Sequence, residues 1–133
     1  MKNRLHSIAL VLLISLQPYS CHKPTKHELY ADSRRCFAAL DTNLHTVTPD
    51  QFRSAGIDAD AVDLASRDAM SAAFDIGEAM GMAPAAINRD LHQASIGYRA
   101  AHTWLPQGSD PKFTALGSDV NDCLEDYYGR PND

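Results

Sequence analysis

PAAINRDLHQASIGYRAAHTWL, residues 84–105, is the stretch that decides the fold. Its apolar positions are Ile87, Leu91, Ala94, Tyr98, Ala101 and Leu105, separated by alternating steps of four and three. That spacing puts all six on one side of an α-helix. Pro84 suits a first helical position, and Pro106 with Gly108 ends the segment. No other apolar stripe in the chain is as regular. The segment reads as the central helix of a small bundle, with the other helices laid against its stripe.

Helical signals continue on both sides. Leu29, Ser33, Cys36, Phe37, Leu40 and Leu44 recur at helical spacing and predict a first helix over 27–44. Thr48-Pro49-Asp50-Gln51 carries a capping-box pattern, and Gly56 limits the helix it starts to a short piece. Asp58 caps a longer helix over 59–80, with an alanine-rich stripe of Val62, Ala65, Ala69, Ala73, Ile76 and Met80 and with Leu64, Met70 and Phe74 beside it. Gly77 costs that helix about 1 kcal/mol relative to alanine, and Gly81 fits its C-terminal cap. Asp110-Pro111 opens the last helix, whose stripe is Phe113, Leu116, Val120, Cys123 or Leu124, and Tyr127. Hairpin signals and repeats are absent. The expected fold is all-α: an antiparallel bundle of four main helices, because the turns between them are brief.

The N-terminus predicts an address. Lys2 and Arg4 precede an apolar run of ten residues, SIALVLLISL (7–16), too short to span a bilayer and suited to a signal peptide. Residues 1–20 are therefore expected to be removed, leaving a polar tether (21–26), a helical domain (27–129) and a tail (130–133). Cys21 follows the small residue Ser20, the place of a lipidated cysteine in a bacterial lipoprotein, although Pro18 and Tyr19 replace the usual aliphatic and small residues. Acylated Cys21 would anchor the chain to the outer membrane; unmodified, it leaves a soluble periplasmic or secreted protein. Cys36 and Cys123 remain, one on each terminal helix, and an oxidising compartment makes a disulfide between them the expected state. It would close a loop of roughly 90 residues and add about 4–5 kcal/mol by the chain-entropy argument.

Charge narrows the partners. Loss of residues 1–20, which carry Lys2 and Arg4 and no acid, takes the formal net charge from −5 to −7. An acidic domain disfavours nucleic acid and anionic lipid and suits a basic protein. Asp119, Asp122 and Asp126 share one face of the last helix and make a candidate docking patch for such a partner. Trp104, near the end of the central helix, is a candidate anchor; the ordinary reading of each is a solvated face and a core-covering ring.

Catalytic and metal chemistry has little footing. His92 and His102 lie about 80° apart on their helix and do not form an i, i+4 metal pair. DADAVD (58–63) lacks the glycine and the final glutamate of a calcium loop. G-x-S-x-G and C-x-x-C-H motifs are missing. Haem held without covalent attachment by Met70, Met80 or His102 stays open in principle. The expectation is a non-enzymatic protein without metal or cofactor.

RRCFAAL (34–40), SRDAMSAAFDIGEAMG (66–81) and VNDCLEDYY (120–128) together resemble small exported helical immunity proteins that neutralise type VI secretion amidase effectors in the periplasm. The resemblance implies a helical inhibitor of a cell-wall hydrolase, and it maps no inhibitory residue onto this chain. The alternative is an envelope structural or stress lipoprotein without a tight partner.

Overall fold

The first helix begins where a short side chain and an acid satisfy each other's neighbours. Thr25 Oγ1 accepts from the Glu28 amide at 3.2 Å, and Glu28 accepts from the Thr25 amide at 2.7 Å. This capping box starts α1 (Lys26–Thr46). The same device, from Thr48 and Gln51, starts α2 (Pro49–Ser54). Asp58 caps α3 (Ala59–Ala79), accepting from the Asp60 amide at 3.0 Å. Gly56 and Gly81 take the left-handed backbone, φ 73° and 84°, that turns the chain after α2 and α3. Then follow α4 (Pro84–Ala101) and α5 (Pro111–Tyr127). The structure, a computed structural model, describes residues 22–101 and 111–127, with side chains for 22–101 and 119–127. No strand occurs among them. The fold is the expected all-α bundle, with the Cys36–Cys123 disulfide joining its first and last helices.

Named contacts set the helix directions. Tyr30, early in α1, lies beside Gly77, late in α3, and Ile87, early in α4. Tyr30 also donates to Asp90 at 2.9 Å. Farther along α1, Asn43 meets Tyr98, late in α4. α1 and α4 therefore run parallel, and α3 runs against both. Cys123 opposite Cys36, and Tyr127 opposite Ser33, make α5 antiparallel to α1. The main helices go up, down, up, down.

The centre of the bundle differs from the sequence expectation. α1, rather than α4, packs against each of α3, α4 and α5. Its buried residues, including Tyr30, Ser33, Cys36, Ala38, Ala39, Leu40 and Asn43, spread around most of its circumference. Ala38, Ala39 and Ser33 are small enough to let three helices approach one. α4 buries Ile87, Leu91 and Ser95, leaves Ala94 and Tyr98 half-buried and exposes Ala101. Its regular stripe thus serves one seam of the bundle. Leu105 and Trp104 lie outside the described residues.

Two clusters fill the interior. Cys36, Leu40, Phe52, Val62, Ala65, Val120 and Cys123 belong to the larger, which the short α2 caps through Phe52. Tyr30, Ala73, Ile87 and Leu91 form the second, near the α3–α4 turn. Gly77 makes that second cluster possible. A Cβ there would stand 2.7 Å from Ile87 Cδ1, 2.8 Å from Cγ1 and 3.3 Å from Tyr30 Cε2. The helix cost of glycine is thus exchanged for a close α3–α4 contact.

Two stability measurements test this packing. Cys36 and Cys123 are 87 residues apart in sequence; the Cys36→Ser/Cys123→Ser variant should lose about 4 kcal/mol in urea unfolding. A loss below about 1 kcal/mol would show that the bundle does not depend on the bond. Gly77→Ala gains about 1 kcal/mol of helix propensity but overpacks a site where typical costs are about 1–3 kcal/mol, so a net loss near 1 kcal/mol is expected. Combined with Ile87→Ala, it should cost less than the two single changes added together.

Candidate functional site

Polar links between helices come first, because they decide which expected site residues are free. Tyr98 donates to Asp119 Oδ2 at 2.9 Å, joining α4 to α5, and the Asn43 side chain is a second partner of the same hydroxyl. Burial, then the hydrogen bond and charge of Asp119, push the Tyr98 hydroxyl well above its usual range. Tyr30 is pushed up to about 12, first by burial and then by Asp90. Tyr127 also rises to about 12, from burial and from the nearby Asp32 and Asp126. Arg35 donates to Asp32 at 2.8 Å and sits in the field of Asp119 and Asp126. Its guanidinium is held above its ordinary value chiefly by the Asp32 hydrogen bond.

The three acids of the last helix therefore divide. Asp119 is half-buried and bound to Tyr98; Asp126 is exposed and shares Arg35; Asp122 is exposed. Trp104 and Cys21 lie outside the described residues. Asp32, Cys36 and Asp126 bring a ligand atom each within 4.8 Å of one another. Cys36 Sγ is committed to the disulfide and offers no thiolate, so two carboxylates remain, which is a weak donor set for a metal.

A concave surface opens on another side of α1, in the angle between α3 and α4, its larger part lined by α1 and α3 alone and its smaller part by all three helices. It consists of a larger compartment of about 540 Å³ and a smaller one of about 190 Å³. Phe37, Asp41 and Met70 line both. α3 and α4 touch near their turn, through Gly77 and Ile87; beyond that contact, Met70 on one helix and Leu91 and Ser95 on the other leave the α1 surface accessible. Asp60, Asp63 and Arg67 line the larger compartment, and Asp63 pairs with Arg67 at 2.9 Å. Ile96, His92 and Arg99 line the smaller. Met70 is 39% exposed and Ile96 53%, high values for large apolar side chains.

Two details distinguish this groove. Ser95 is 7% exposed, and its Oγ has no hydrogen-bond partner among the described residues. Asp41 is half-buried, and the His45 ring beside it hydrogen-bonds the Asp41 main-chain oxygen at 2.7 Å while standing 3.5 Å from the carboxylate. The carboxylate accepts no hydrogen bond from the described residues. Sequence reasoning passed over this groove. Its signal was present in Met70 and Ile96, which are apolar yet fall off the buried stripes of their helices.

No family model, no curated protein and no solved structure matches the chain. Among the described residues, no helix is long and apolar enough to cross a membrane.

Raised tyrosine pKa values have a sign. An unfolded tyrosine ionises near 10. Tyr30, Tyr98 and Tyr127 ionise higher in the fold, so their contribution is complete below pH 10 and falls as pH rises from about 10 through 12. The urea midpoint should decline across that window, and less steeply in Tyr30→Phe. At pH 7, Asp119→Ala should cost about 1 kcal/mol by taking one of two partners from the half-buried Tyr98 hydroxyl, while Asp122→Ala stays within about 0.5 kcal/mol of the parent. Equal losses in the two variants would contradict the division of the acids.

Proposed function

We propose that this chain is an exported, non-enzymatic binding protein of the inhibitor type, working in the periplasm or tethered to the outer membrane through Cys21. The observation that carries the reading is the disulfide between Cys36 and Cys123, both fully buried between the terminal helices. Such a bond suits an oxidising compartment. It agrees with the signal-like N-terminus, where Lys2 and Arg4 precede an apolar run. A stapled, acidic bundle presents a rigid surface whose shape survives outside the cell, which favours binding by lowering the ordering cost. Its partner by charge is a basic protein, and the resemblance to immunity proteins makes a cell-wall hydrolase or effector the first class to try.

Intact mass of the protein taken from its own envelope tests the address. The expected product lacks residues 1–20, carries acyl chains on Cys21, and has Cys36 and Cys123 unreactive to alkylation until reduced. A chain that keeps residues 1–20 with both thiols free would overturn the exported reading. For the inhibitory role, the purified protein should suppress a basic cell-wall hydrolase of the envelope at stoichiometric concentration, an effect that salt weakens. Undiminished hydrolysis across the basic hydrolases of that envelope would overturn it.

A further inference from the structure

The groove between α3 and α4 has features that a solvated crevice does not need. Apolar side chains are left open to water, and the half-buried Asp41 carboxylate accepts no hydrogen bond from the described residues, its basic neighbour being the exposed His45 at 3.5 Å. Burying polar groups without partners costs free energy, and an occupant that supplies them recovers it. The charges around the groove are unequally placed. Asp41, Asp60 and Asp63 line the larger compartment against Arg67, which is already paired with Asp63. Arg99 lines the smaller.

We infer that the groove between α3 and α4 is a docking site for a basic side chain, lysine or arginine, presented by the protein partner. This rests on the reading of the chain as a binding protein for a basic partner and names the surface that does the binding. The argument for the occupant is charge and shape together. The aliphatic stem lies along Met70 and Phe37, as long basic side chains do on apolar surface. The cationic head reaches Asp41, with Asp60 and Asp63 adding attraction from the same end. Arg99 stands on the α4 wall and Asp60 and Asp63 on the α3 wall, so the cationic head is favoured on the α3 side. The acidic face of the last helix is a poorer candidate because Arg35 and Tyr98 already engage two of its three carboxylates.

Hexylammonium reproduces the stem and head, and hexanoate reproduces the stem with the opposite charge. In carbon–proton NMR of the oxidised protein, hexylammonium should give saturable shifts at the methyl groups of Met70 and Ile96, and hexanoate none. Asp41→Asn should weaken that binding at least tenfold, and Met70→Lys should abolish it with Asp41 intact. An unchanged pattern of distant methyl signals in each variant certifies the fold. Equal shifts from hexanoate, or unaltered affinity in Asp41→Asn, would overturn the inference. So would methyl shifts that depend on protein concentration alone, which would mean that a second copy covers the groove. Binding of hexylammonium in the absence of any hydrolase inhibition would overturn the proposed function and keep the groove. Inhibition unaffected by Asp41→Asn would do the reverse.

Discussion

Everything else in the bundle depends on burying α1 against three helices at once. An amphipathic helix at the edge of a bundle needs one apolar stripe. A helix with neighbours on three sides needs small or apolar residues over most of its circumference, and Ser33, Ala38 and Ala39 supply the small ones. Small residues bring backbones close but add little apolar area. The two core clusters are accordingly modest and rich in alanine, with Leu40, Ile87, Val62 and Val120 the largest fully buried side chains. A covalent bond between the first and last helices compensates by restricting the unfolded chain.

Crowding α1 also brings polar groups inside, and most of them find partners locally. Ser33 Oγ donates to the Tyr30 carbonyl at 2.9 Å and Asn43 Nδ2 to the Ala39 carbonyl at 2.7 Å. Longer-range links then tie one helix to another. Tyr30 to Asp90 holds α4 at one level, supported by Arg34, which stands 3.9 Å from the same carboxylate and 5.8 Å from the Tyr30 ring centre. Tyr98 to Asp119 closes the other end. Among the described residues, Thr42 Oγ1 and Ser95 Oγ stay without partners. Ser95 lies where α4 leaves α3, the region in which packing gives way to a groove.

Structural and functional demands on the acids are separable here. Asp90 accepts from the buried Tyr30 and Asp119 from the half-buried Tyr98, and both so belong to the scaffold. Asp41, Asp60 and Asp63 face a concavity with apolar walls, a setting in which a charge interacts more strongly than on a flat, wet surface. Net acidity alone would not distinguish the two sets. Their neighbours do: a tyrosine hydroxyl from another helix in one case, a groove and basic groups of their own helix in the other.

The boundaries of α2 and α3 were legible in the sequence, whereas the Thr25–Glu28 box that starts α1 was not recognised. Thr48, Pro49, Gln51, Asp58, Gly56 and Gly81 act through hydrogen bonds and backbone angles within a few residues, so their meaning is local and readable. Two cysteines on terminal helices likewise implied the staple that the fold contains. Which helix lies at the centre was decided only by tertiary structure. The stripe of residues 84–105 was the most regular, but regularity measures one-sided burial, and the central helix is buried on many sides and therefore shows the weaker pattern. Gly77 illustrates the same limit, since its local cost was legible and its purpose, the approach of Ile87 and Tyr30, arises from residues 10 and 47 positions away. The groove was invisible for that reason too: Phe37, Asp41, Met70 and Ser95 come from three helices, and only their packing puts the Asp41 carboxylate beside exposed apolar walls.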